Sequence, residues 1–458
     1  MTDFFFKHLL QKDGWKSNIR VSVDSEGIIT SMVETTNSDN AEIISGFALP
    51  GFQNAHSHAF QYAMAGLAEV HAVSHTSDDF WSWREAMYSL ALQVSPDQME
   101  SIATMLYSEM ARQGYTNVAE FHYVHHQKNG QPYDNLAEMG SRMIAAAQTA
   151  GINITLVPIF YQKGGFGQEP NDRQRRFISK DIDTYLNLLA ASEEACKNYT
   201  GANIGIGIHS MRGVEPSCIA EIAKNGPQNI PFHIHVSEQL KEIEDSLKHL
   251  GKRPVEWMLD NVNMSNRFHL VHATHLTDAE TKGIAQVGAN VVLCPTTEGN
   301  LGDGLFPLKN FQNYGGNWSI GTDSHIGINP LEELRVLDYG QRLISHQRNT
   351  YTSPKQGDSG QFAIEMATLT GRKAMGDIST EFFAVGTTLN AAVIDEKAPL
   401  LATTSAEKRT STIVYTADAT QQIATIVKGK IVVKEGKHNL QTPIRSAFAE
   451  TLKSLSNR

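Results

Sequence analysis

Residues 51–62 read GFQNAHSHAFQY, and this stretch places two histidines, His56 and His58, one residue apart at the end of a short apolar run. In a β-strand, residues i and i+2 point to the same side, so both imidazoles can reach one ion. Two ligands alone do not make a site. The meaning of the stretch therefore depends on whether other strands bring further ligands to the same place.

Eight short, nearly continuous apolar runs along the chain are strand candidates, and helical segments such as PDQMESIATMLYSEMARQG lie between them. The runs are GFALPGFQNAH, TNVAEFHYV, NITLVPIF, NIGIGIHS, PFHIHVS, FHLVHATH, ANVVLCP and NWSIGTDS. Continuous apolar runs are typical of strands buried on both faces, as in parallel sheets covered by helices. Eight such strands alternating with helices predict an α/β fold, a (β/α)8 TIM-like barrel, which we expect over residues 48–378.

Both ends of the chain differ from this middle part, because they read as short strands joined by turns. NIRVSVDSEG and IITSMVETT near the start, and NAAVIDEKA and ATIVKGKIVVKEGKHNL near the end, alternate apolar and polar residues between glycine turns. They could be two unrelated additions to the barrel. The more economical prediction is one small β-sandwich domain built from residues 1–47 and 379–458.

Bulk composition limits the classes of protein to consider. The chain has 458 residues, a net charge of -10, 41% apolar residues and 19% charged residues, which is the composition of a globular protein. The negative charge argues against a nucleic-acid partner, which requires a basic face. No apolar run is long enough for a membrane span or a signal peptide. The three cysteines show no CxxC pairing, so we expect a reduced, cytoplasmic protein.

Polar residues end several of the predicted barrel strands, where the carboxyl ends of all strands converge on one face. Several imidazoles and one carboxylate in one pocket suit a divalent metal of the zinc type. An isolated HxH pair is more often two packed histidines, and the polar residues that close strands five, six and eight favour the metal site instead. The polar residues at strand ends are His56, His58, Glu120, His122, Tyr123, His209, Ser210, Arg212, His235, Glu238, His272 and Asp323.

We expect the other histidines near these strands not to bind the metal. His235 lies nearer the strand end than His233 and begins a His-x-x-Glu pattern, so we assign His235 to the metal and His233 to the core or to a supporting contact. His269 lies too deep in its strand to reach the predicted metal, and His275 lies too far into the loop that follows. His125 and His126 follow strand two in a polar loop, where we expect them to be solvated; the positions of all these side chains test the assignment.

Together these motifs resemble the amidohydrolase superfamily. The similar stretches are PGFQNAHSH, HIHVSE, LVHATHL and GTDSH in the barrel, and VKGKIVVKEGKH in the small domain. Each motif alone is weak, whereas the set is specific and covers nearly the whole chain. Two-metal members bridge their ions with a carboxylated Lys or a Glu at strand four. Strand four of this chain ends in His209, so the resemblance implies one Zn2+ per subunit.

Four further stretches are similar to the branch of this superfamily that removes ammonia from N-formimino-L-glutamate during histidine breakdown: HSHAFQYAMAGLAE, DDFWSWREAMY, EFHYVHH and GIHSMRGV. This likeness implies a metal-dependent hydrolase that acts on a C–N bond of a linear amidine. It also implies a role for each residue of the site. The metal ligands would be His56, His58, His235 and Asp323, the catalytic residues Glu238, His272 and Asp323, and the substrate-binding residues Gln61, Arg84, Tyr123, His209 and Arg212.

The implied chemistry and the implied substrate are mutually consistent. Asp323 could take a proton from the attacking water, Glu238 could carry it to the departing nitrogen, and His272 could donate to or orient the attacking oxygen. The substrate carries two carboxylates, and Arg84 and Arg212 could each bind one. Two local arginines would let an acidic protein bind an anionic small molecule. Arg84 lies in a Trp-rich segment, residues 79–90, which is either a lid over the barrel mouth or an ordinary packed helix.

Two other functions remain open at this stage. A deaminase of a purine, pyrimidine or triazine ring would use almost the same metal chemistry, but a neutral ring has no use for two arginines. A barrel that serves only as a structural or interaction protein would be expected to lose metal ligands, and this chain keeps all of those implied. A homodimer is possible, although the sequence does not determine the oligomeric state.

Overall fold

The structure is a computed structural model that describes residues 2–69, 80–353 and 356–455, without the side chains of residues 80–82. Seventeen strands and fourteen α-helices are present in these ranges. The strands are β1 (Thr2–Gln11), β2 (Gly14–Val23), β3 (Ile29–Glu34), β4 (Glu42–Pro50), β5 (Phe52–Ser57), β6 (Tyr115–His122), β7 (Asn153–Phe160), β8 (Ala202–Ile204), β9 (Ile206–Ser210), β10 (Phe232–Val236), β11 (Phe268–His272), β12 (Asn290–Leu293), β13 (Asn317–Ile320), β14 (Ala391–Ile394), β15 (Gln422–Val427), β16 (Lys430–Lys434) and β17 (Lys437–His438).

The helices follow most of the barrel strands and also occur near the C-terminus. They are α1 (Phe80–Ala91), α2 (Pro96–Arg112), α3 (Glu138–Ala150), α4 (Ile182–Cys196), α5 (Pro216–Asn225), α6 (Leu240–Leu250), α7 (Pro254–Asn261), α8 (Asp278–Val287), α9 (Pro295–Leu301), α10 (Leu308–Asn313), α11 (Pro330–Ser345), α12 (Ser359–Ala374), α13 (Ala406–Thr416) and α14 (Gln441–Ser454). Two 3-10 segments, Ala59–Met64 and Asp172–Gln174, border the site described below. No helix of the described residues combines the length and apolarity needed to cross a bilayer.

Eight parallel strands form the barrel in the order β5-β6-β7-β9-β10-β11-β12-β13, and β8 pairs with β7 beside it. The last strand meets the first just beyond β13, where the His56 carbonyl accepts hydrogen bonds from the amides of Thr322 and Asp323, both at 3.0 Å. The His58 amide in turn donates to the Asp323 carbonyl at 3.1 Å. The barrel is therefore closed, and the predicted fold class is confirmed.

The strands form where the sequence predicted them because their side chains are buried on both faces. Every residue of β10 is buried, as is every residue of β7 after Asn153. One predicted strand, GFALPGFQNAH, is in fact two strands, since the chain leaves the small sheet at Pro50 and enters the barrel at Phe52. A Cβ on Gly51 would lie 2.3 Å from the Thr116 side chain, so the break requires a glycine. NIGIGIHS is likewise divided, into β8 and β9.

Both ends of the chain join one small sheet, in the order β17-β16-β15-β14-β4-β1-β2-β3. Strand β4 pairs in parallel with β1 and antiparallel with β14, so it links the N-terminal and C-terminal strands. The predicted small domain made from both termini is thus confirmed. Its exact boundaries stay a prediction; β4 runs to Pro50 and β14 begins at Ala391.

The final helix, α14, is an element that the strand pattern did not indicate. It packs against α2 of the barrel, where the hydroxyl of Thr451 donates to that of Ser101 at 2.8 Å and Arg445 lies 3.4 Å from Glu109. Helix α2 itself begins at a capping box formed by Ser95 and Gln98. Helix α14 therefore lies on the outer surface of the barrel and not in the small sheet.

Candidate active site

One cavity at the carboxyl ends of the barrel strands gathers the predicted site residues. Its lining includes, from those predicted, His58, Gln61, Arg84, Tyr123, His209, Arg212, His235, Glu238, His272 and Asp323. His56 is fully buried directly beside them. Residues from six barrel strands or the loops after them therefore meet in one place, as the convergence of parallel strand ends requires. The structure brings the whole predicted set together; the role of each residue stays a prediction.

The four predicted metal ligands have their donor atoms close together. His56 Nε2 lies 3.0 Å from His235 Nε2, 3.2 Å from His58 Nε2 and 3.5 Å from Asp323 Oδ1. His58 Nε2 is 3.3 Å from the same Asp323 oxygen. Ligands about 2.0–2.1 Å from a zinc ion at tetrahedral positions are about 3.3–3.4 Å apart. The spacing of these donors thus matches what one ion of the zinc type requires.

Hydrogen bonds made by Nδ1 of His58 and of His235 determine which nitrogen of each ring is available to bind a metal. His58 Nδ1 lies 2.7 Å from the Phe121 carbonyl, and His235 Nδ1 lies 2.9 Å from the His209 carbonyl. A carbonyl only accepts, so each Nδ1 carries the proton and each Nε2 of the neutral ring presents a lone pair. Burial lowers the pKa of His58 and His235, which favours the neutral rings. These lone pairs and the Asp323 carboxylate fit a divalent cation.

Four non-glycine residues at these strand ends have left-handed backbone conformations. They are Ser237 (φ 54°), His272 (φ 67°), Ala273 (φ 49°) and Asp323 (φ 46°). Each such residue costs about 1–3 kcal/mol and persists only where the surroundings hold it. The backbone is therefore strained at Asp323 and His272, and just after His235.

Glu238 and Arg212 form an ion pair at one side of the cavity. Arg212 Nη2 donates to Glu238 Oε2 at 2.9 Å, and Arg212 Nε lies 3.6 Å from Glu242 Oε2. Burial opposes the charge of Arg212, but Glu242 and Glu238 outweigh it and raise its pKa. Glu242 was missed by the sequence reasoning. It lies four residues after Glu238 and accepts hydrogen bonds from the amides of Ser237 and Glu238, which fixes the turn after β10.

His272 is held between carboxylates. Its Nδ1 lies 3.2 Å from Glu298 Oε1, and its Nε2 lies 3.8 Å from Glu238 Oε1 and 3.9 Å from Asp323 Oδ2. Burial disfavours protonation of His272, but Glu238, Glu298 and Asp323 outweigh it and raise the pKa to about 10. These carboxylates therefore favour the protonated ring, and its Nε2 faces Glu238 and Asp323. Nothing in the sequence around Glu298 indicated this contact.

The opposite part of the cavity is aromatic and cationic. Gln61 Nε2 donates to Tyr123 Oη at 2.8 Å, and the His209 ring lies 4.0 Å from the ring of Tyr161. The sequence reasoning missed five lining residues here: Trp83, Met87, Tyr88, Tyr161 and Leu301. A signal existed for Tyr161, because it directly follows β7, the third predicted strand, to which no site residue had been assigned. Tyr88 lies one helical turn after Arg84 in α1.

Glu120 holds the backbone of the stretch that carries His56 and His58, on the side away from the cavity. The fully buried carboxylate accepts from the Ser57 hydroxyl at 2.6 Å, the Ala59 amide at 2.6 Å and the Tyr107 hydroxyl at 2.9 Å. Burial raises the pKa of Glu120 to about 7, although these donors oppose the shift. Glu120 was noted at a strand end, but its contacts fix the backbone between and after the two histidines and do not reach the cavity.

The remaining histidines are partly as expected. His233 Nε2 lies 3.0 Å from the Ala374 carbonyl and its ring stacks on His269, so both belong to the barrel core. The prediction that His125 and His126 are solvated is wrong. His125 is 2% exposed, with Nε2 2.9 Å from the Ile159 carbonyl, and His126 contacts the Ile178 carbonyl at the same distance. The His125 ring contacts the end of β7 and the His126 ring contacts the segment after it, which their polar neighbours in sequence did not indicate.

Known proteins are similar along the entire chain. A family model described as "Amidohydrolase family" matches residues 47–432. A curated protein of Pseudomonas aeruginosa named formimidoylglutamate deiminase is 40% identical over 456 residues, which cover 99% of this chain and 100% of that protein. A solved amidohydrolase from Brucella melitensis has a TM-score of 0.93 and 38% identity over 100% of both chains. An adenosine deaminase from Xanthomonas campestris with bound zinc has a TM-score of 0.81 at 18% identity, over 100% and 99% of the two chains, and is similar in fold.

Proposed function

The chain belongs to the amidohydrolase family and is a hydrolase that acts on a C–N bond, and from this premise we propose that it converts N-formimino-L-glutamate to N-formyl-L-glutamate and ammonia. The observation that carries the proposal is that one cavity combines two kinds of residue. Residues proposed to bind the metal or carry protons, among them His58, His235, Glu238 and Asp323, line it together with Arg84 and Arg212. The relative from Pseudomonas aeruginosa that carries the matching name is similar over its full length. In this proposal the reaction serves histidine breakdown in the cytoplasm.

The metal in this proposal is one Zn2+ held by His56, His58, His235 and Asp323. Support comes from the donor set, three imidazoles and one carboxylate, and from the spacing of the donor atoms. A protein of similar fold was solved with bound zinc. When bound, such an ion lowers the pKa of a coordinated water to about 7, which provides a nucleophile at neutral pH.

The protein side chains would move the protons. The oxygen of water adds to the formimino carbon, the bond from this carbon to the terminal nitrogen breaks, and the nitrogen leaves as ammonia with both protons of the water. Asp323 takes the first proton, because its carboxylate lies among the ligand atoms. Glu238 delivers a proton to the departing nitrogen, and His272, protonated between its carboxylate neighbours, donates from Nε2 to the developing negative charge.

Specificity for a dicarboxylate would come from the two arginines. A guanidinium binds a carboxylate with two parallel hydrogen bonds, which gives geometric as well as electrostatic selection. Arg212 lies beside Glu238, so a carboxylate bound there would hold the rest of the substrate next to the proton carrier. Arg84 approaches from α1, one turn from Tyr88. A neutral heterocycle offers neither guanidinium group a carboxylate to bind.

An ammonia-release assay tests the proposal directly. Purified protein loaded with one equivalent of Zn2+ is incubated with N-formimino-L-glutamate and, in parallel, with adenine, cytosine, guanine and a triazine. We expect turnover of formiminoglutamate alone, and a parallel formation of N-formyl-L-glutamate. Release of ammonia from a ring substrate without turnover of formiminoglutamate would replace the proposal by the ring-deaminase alternative. Absence of metal binding together with absence of any turnover would favour a structural or interaction role.

A further inference from the structure

A buried amide lies behind the aromatic part of the cavity. Gln174, in the 3-10 segment after β7, is fully buried and does not line the cavity. Its Oε1 accepts from the Asn171 amide at 2.9 Å, and this contact fixes the amide orientation, since a backbone N–H can only donate to the oxygen. The Nε2 group therefore points to the other side, where it donates to Tyr161 Oη at 2.8 Å and to Tyr88 Oη at 3.2 Å.

Gln174, Tyr88 and Tyr161 form a hydrogen-bonded triad. A count of its hydrogen bonds leaves one donor without an acceptor. Gln174 uses both N–H groups on the two phenol oxygens. Burial raises the pKa of Tyr161, and the neighbouring Tyr88 hydroxyl raises it further, so one hydroxyl can donate to the other. The second O–H proton then has no acceptor within the triad, and burial of an unsatisfied donor is costly. A ligand that offers a strong acceptor in the cavity would satisfy it.

The surroundings of the two tyrosines indicate what this acceptor is. Tyr88 and Tyr161 line the cavity together with Arg84 and Arg212. The Arg84 guanidinium carbon is 5.5 Å from the centre of the Tyr88 ring, and the charges of both arginines reach the Tyr161 hydroxyl. A hydroxyl donor beside two guanidinium groups suits a carboxylate, which accepts several hydrogen bonds at once.

We propose that Gln174 is a positioning residue that orients Tyr88 and Tyr161 so that their remaining hydroxyl proton is donated to a carboxylate of the substrate. The inference rests on the proposed function, because it requires an anionic substrate. It extends the site beyond the two arginines and assigns selection of the carboxylate to a group that does not touch the substrate. Gln174 would thus affect affinity for the dicarboxylate more than the chemical step.

Two arginines close to Gln174 in sequence hold α1 and the turn after it in place by separate contacts. Arg173 donates to the Ser89 hydroxyl at 2.7 Å and the Glu85 carbonyl at 3.2 Å. Arg176, fully buried, donates to the carbonyls of Ala91 and Val94 at 2.6 and 2.7 Å. Because these contacts do not involve the Gln174 side chain, a substitution of Gln174 removes the hydroxyl orientation while the anchors of α1 remain.

The experiment compares three variants of the zinc-loaded protein: Gln174→Leu, the double variant Tyr88→Phe/Tyr161→Phe, and the control Gln168→Leu, which changes an exposed glutamine of the same loop. Glutarate, a dicarboxylate without the formimino group, is titrated by calorimetry, and KM and kcat are measured with N-formimino-L-glutamate. We expect Gln174→Leu and the double Phe variant to weaken glutarate binding and to raise KM by about 10- to 100-fold, the loss of one hydrogen bond to a charged group. We expect kcat to change less than about 3-fold, and Gln168→Leu to resemble wild type.

Several results would overturn the inference. They are glutarate affinity within 2-fold of wild type in Gln174→Leu, a loss of kcat as large as the loss of kcat/KM, and a wild-type protein that does not bind glutarate. If Gln174→Leu does not fold, the double Phe variant decides, since Phe retains the ring packing. A wild-type protein that binds glutarate but does not hydrolyse formiminoglutamate refutes the proposed function alone, and the comparison of glutarate affinities still tests Gln174.

Discussion

Replacement of Arg212 by methionine tests the ion pairs at the centre of the site. Met retains the length and apolar part of the side chain, whereas the guanidinium is lost from beside Glu238 and Glu242. Glu242 is 0% exposed and Arg212 is 11% exposed at the side chain, so the lost interaction is a buried one. Removing one partner of a buried ion pair typically costs about 3–5 kcal/mol, because the other charge is left uncompensated.

This free energy can be converted to a melting temperature. With about 2.1 cal/mol/K per residue, unfolding of the chain has an entropy of about 1 kcal/mol/K. Arg212→Met should therefore lower Tm by about 3–5 °C, on the conversion just given. Arg212→Met/Glu242→Gln removes the stranded charge of Glu242 but not that of Glu238, and should recover about 1 kcal/mol of this loss. Gln keeps one of the two backbone amide hydrogen bonds, because it has a single acceptor oxygen where the carboxylate has two.

The sign of the pH dependence follows from Glu242. Burial raises the pKa of this carboxyl, and Arg212 opposes that shift, so the pKa rises further in Arg212→Met. A carboxyl whose folded pKa exceeds its unfolded pKa contributes less stability as the pH rises through the folded value. The loss in Arg212→Met should therefore be larger at pH 8 than at pH 5. In the double variant with Glu242→Gln, this pH dependence should diminish.

The assay is thermal unfolding of wild type, both single variants and the double variant, followed by circular dichroism at fixed zinc concentration. The exposed pair of Lys241 and Asp245 on α6 serves as a matched control, and Lys241→Met should change stability by less than about 1 kcal/mol. Additive effects of Arg212→Met and Glu242→Gln, with coupling below about 0.5 kcal/mol, would refute the reasoning. So would an equal effect of Lys241→Met and Arg212→Met.

Three further predictions concern the metal, the substrate and the fold. Asp323→Asn should reduce bound zinc, measured by elemental analysis after dialysis, from one equivalent to well below half, because the carboxylate is the charged ligand of the set. Arg84→Met should raise KM for formiminoglutamate by about 100-fold or more, with a change in Tm of less than about 1 °C, since its stated role is in binding. Arg176→Met should lower Tm by several degrees, as measured by calorimetry, because the carbonyls of Ala91 and Val94 each lose a donor at a cost of about 1–3 kcal/mol.

Each of these has a control and a contradicting result. His249→Ala, outside the cavity, should leave zinc content unchanged, and full zinc occupancy in Asp323→Asn would contradict the ligand assignment. Unchanged KM in Arg84→Met would remove the carboxylate argument for that residue. Arg175→Met, whose side chain is more exposed than that of Arg176, should have a small effect on Tm, and equal Tm values for Arg176→Met and wild type would show that the carbonyl contacts are dispensable.

The barrel and the positions of the four proposed metal ligands were predictable from sequence because both depend on local patterns. Continuous apolar runs require burial on both faces, and a polar residue at the end of such a run must lie at the barrel rim. His56, His58, His235 and Asp323 each satisfy this condition within a few residues of a strand. The break at Gly51 was missed because two strands that continue in direction have one continuous apolar pattern.

Contacts between loops were not predictable in this way. His125 has polar neighbours in sequence, yet its ring contacts the Ile159 carbonyl in β7 and its amide donates to the Arg176 carbonyl in the loop after β7. Glu298 reaches His272 from a helix after a different strand, and Gln174 reaches Tyr88 across two loops. Such contacts depend on how loops fold over the barrel rim, for which apolar periodicity provides no information.

The closing contact between β5 and the segment after β13 has a consequence for how the protein matures. A nascent chain that has emerged only through β12 carries His56, His58 and His235 but not Asp323, and its barrel still has two open edges. All four donors can bind a cation only when the first and last strands of the barrel meet. A bound ion would therefore stabilise the contact between β5 and the segment after β13. Zinc would then bind tightly only to molecules that are fully synthesised and whose barrel is closed. Removal of the ion by a chelator should destabilise the contact between β5 and the segment after β13 before any other part of the barrel.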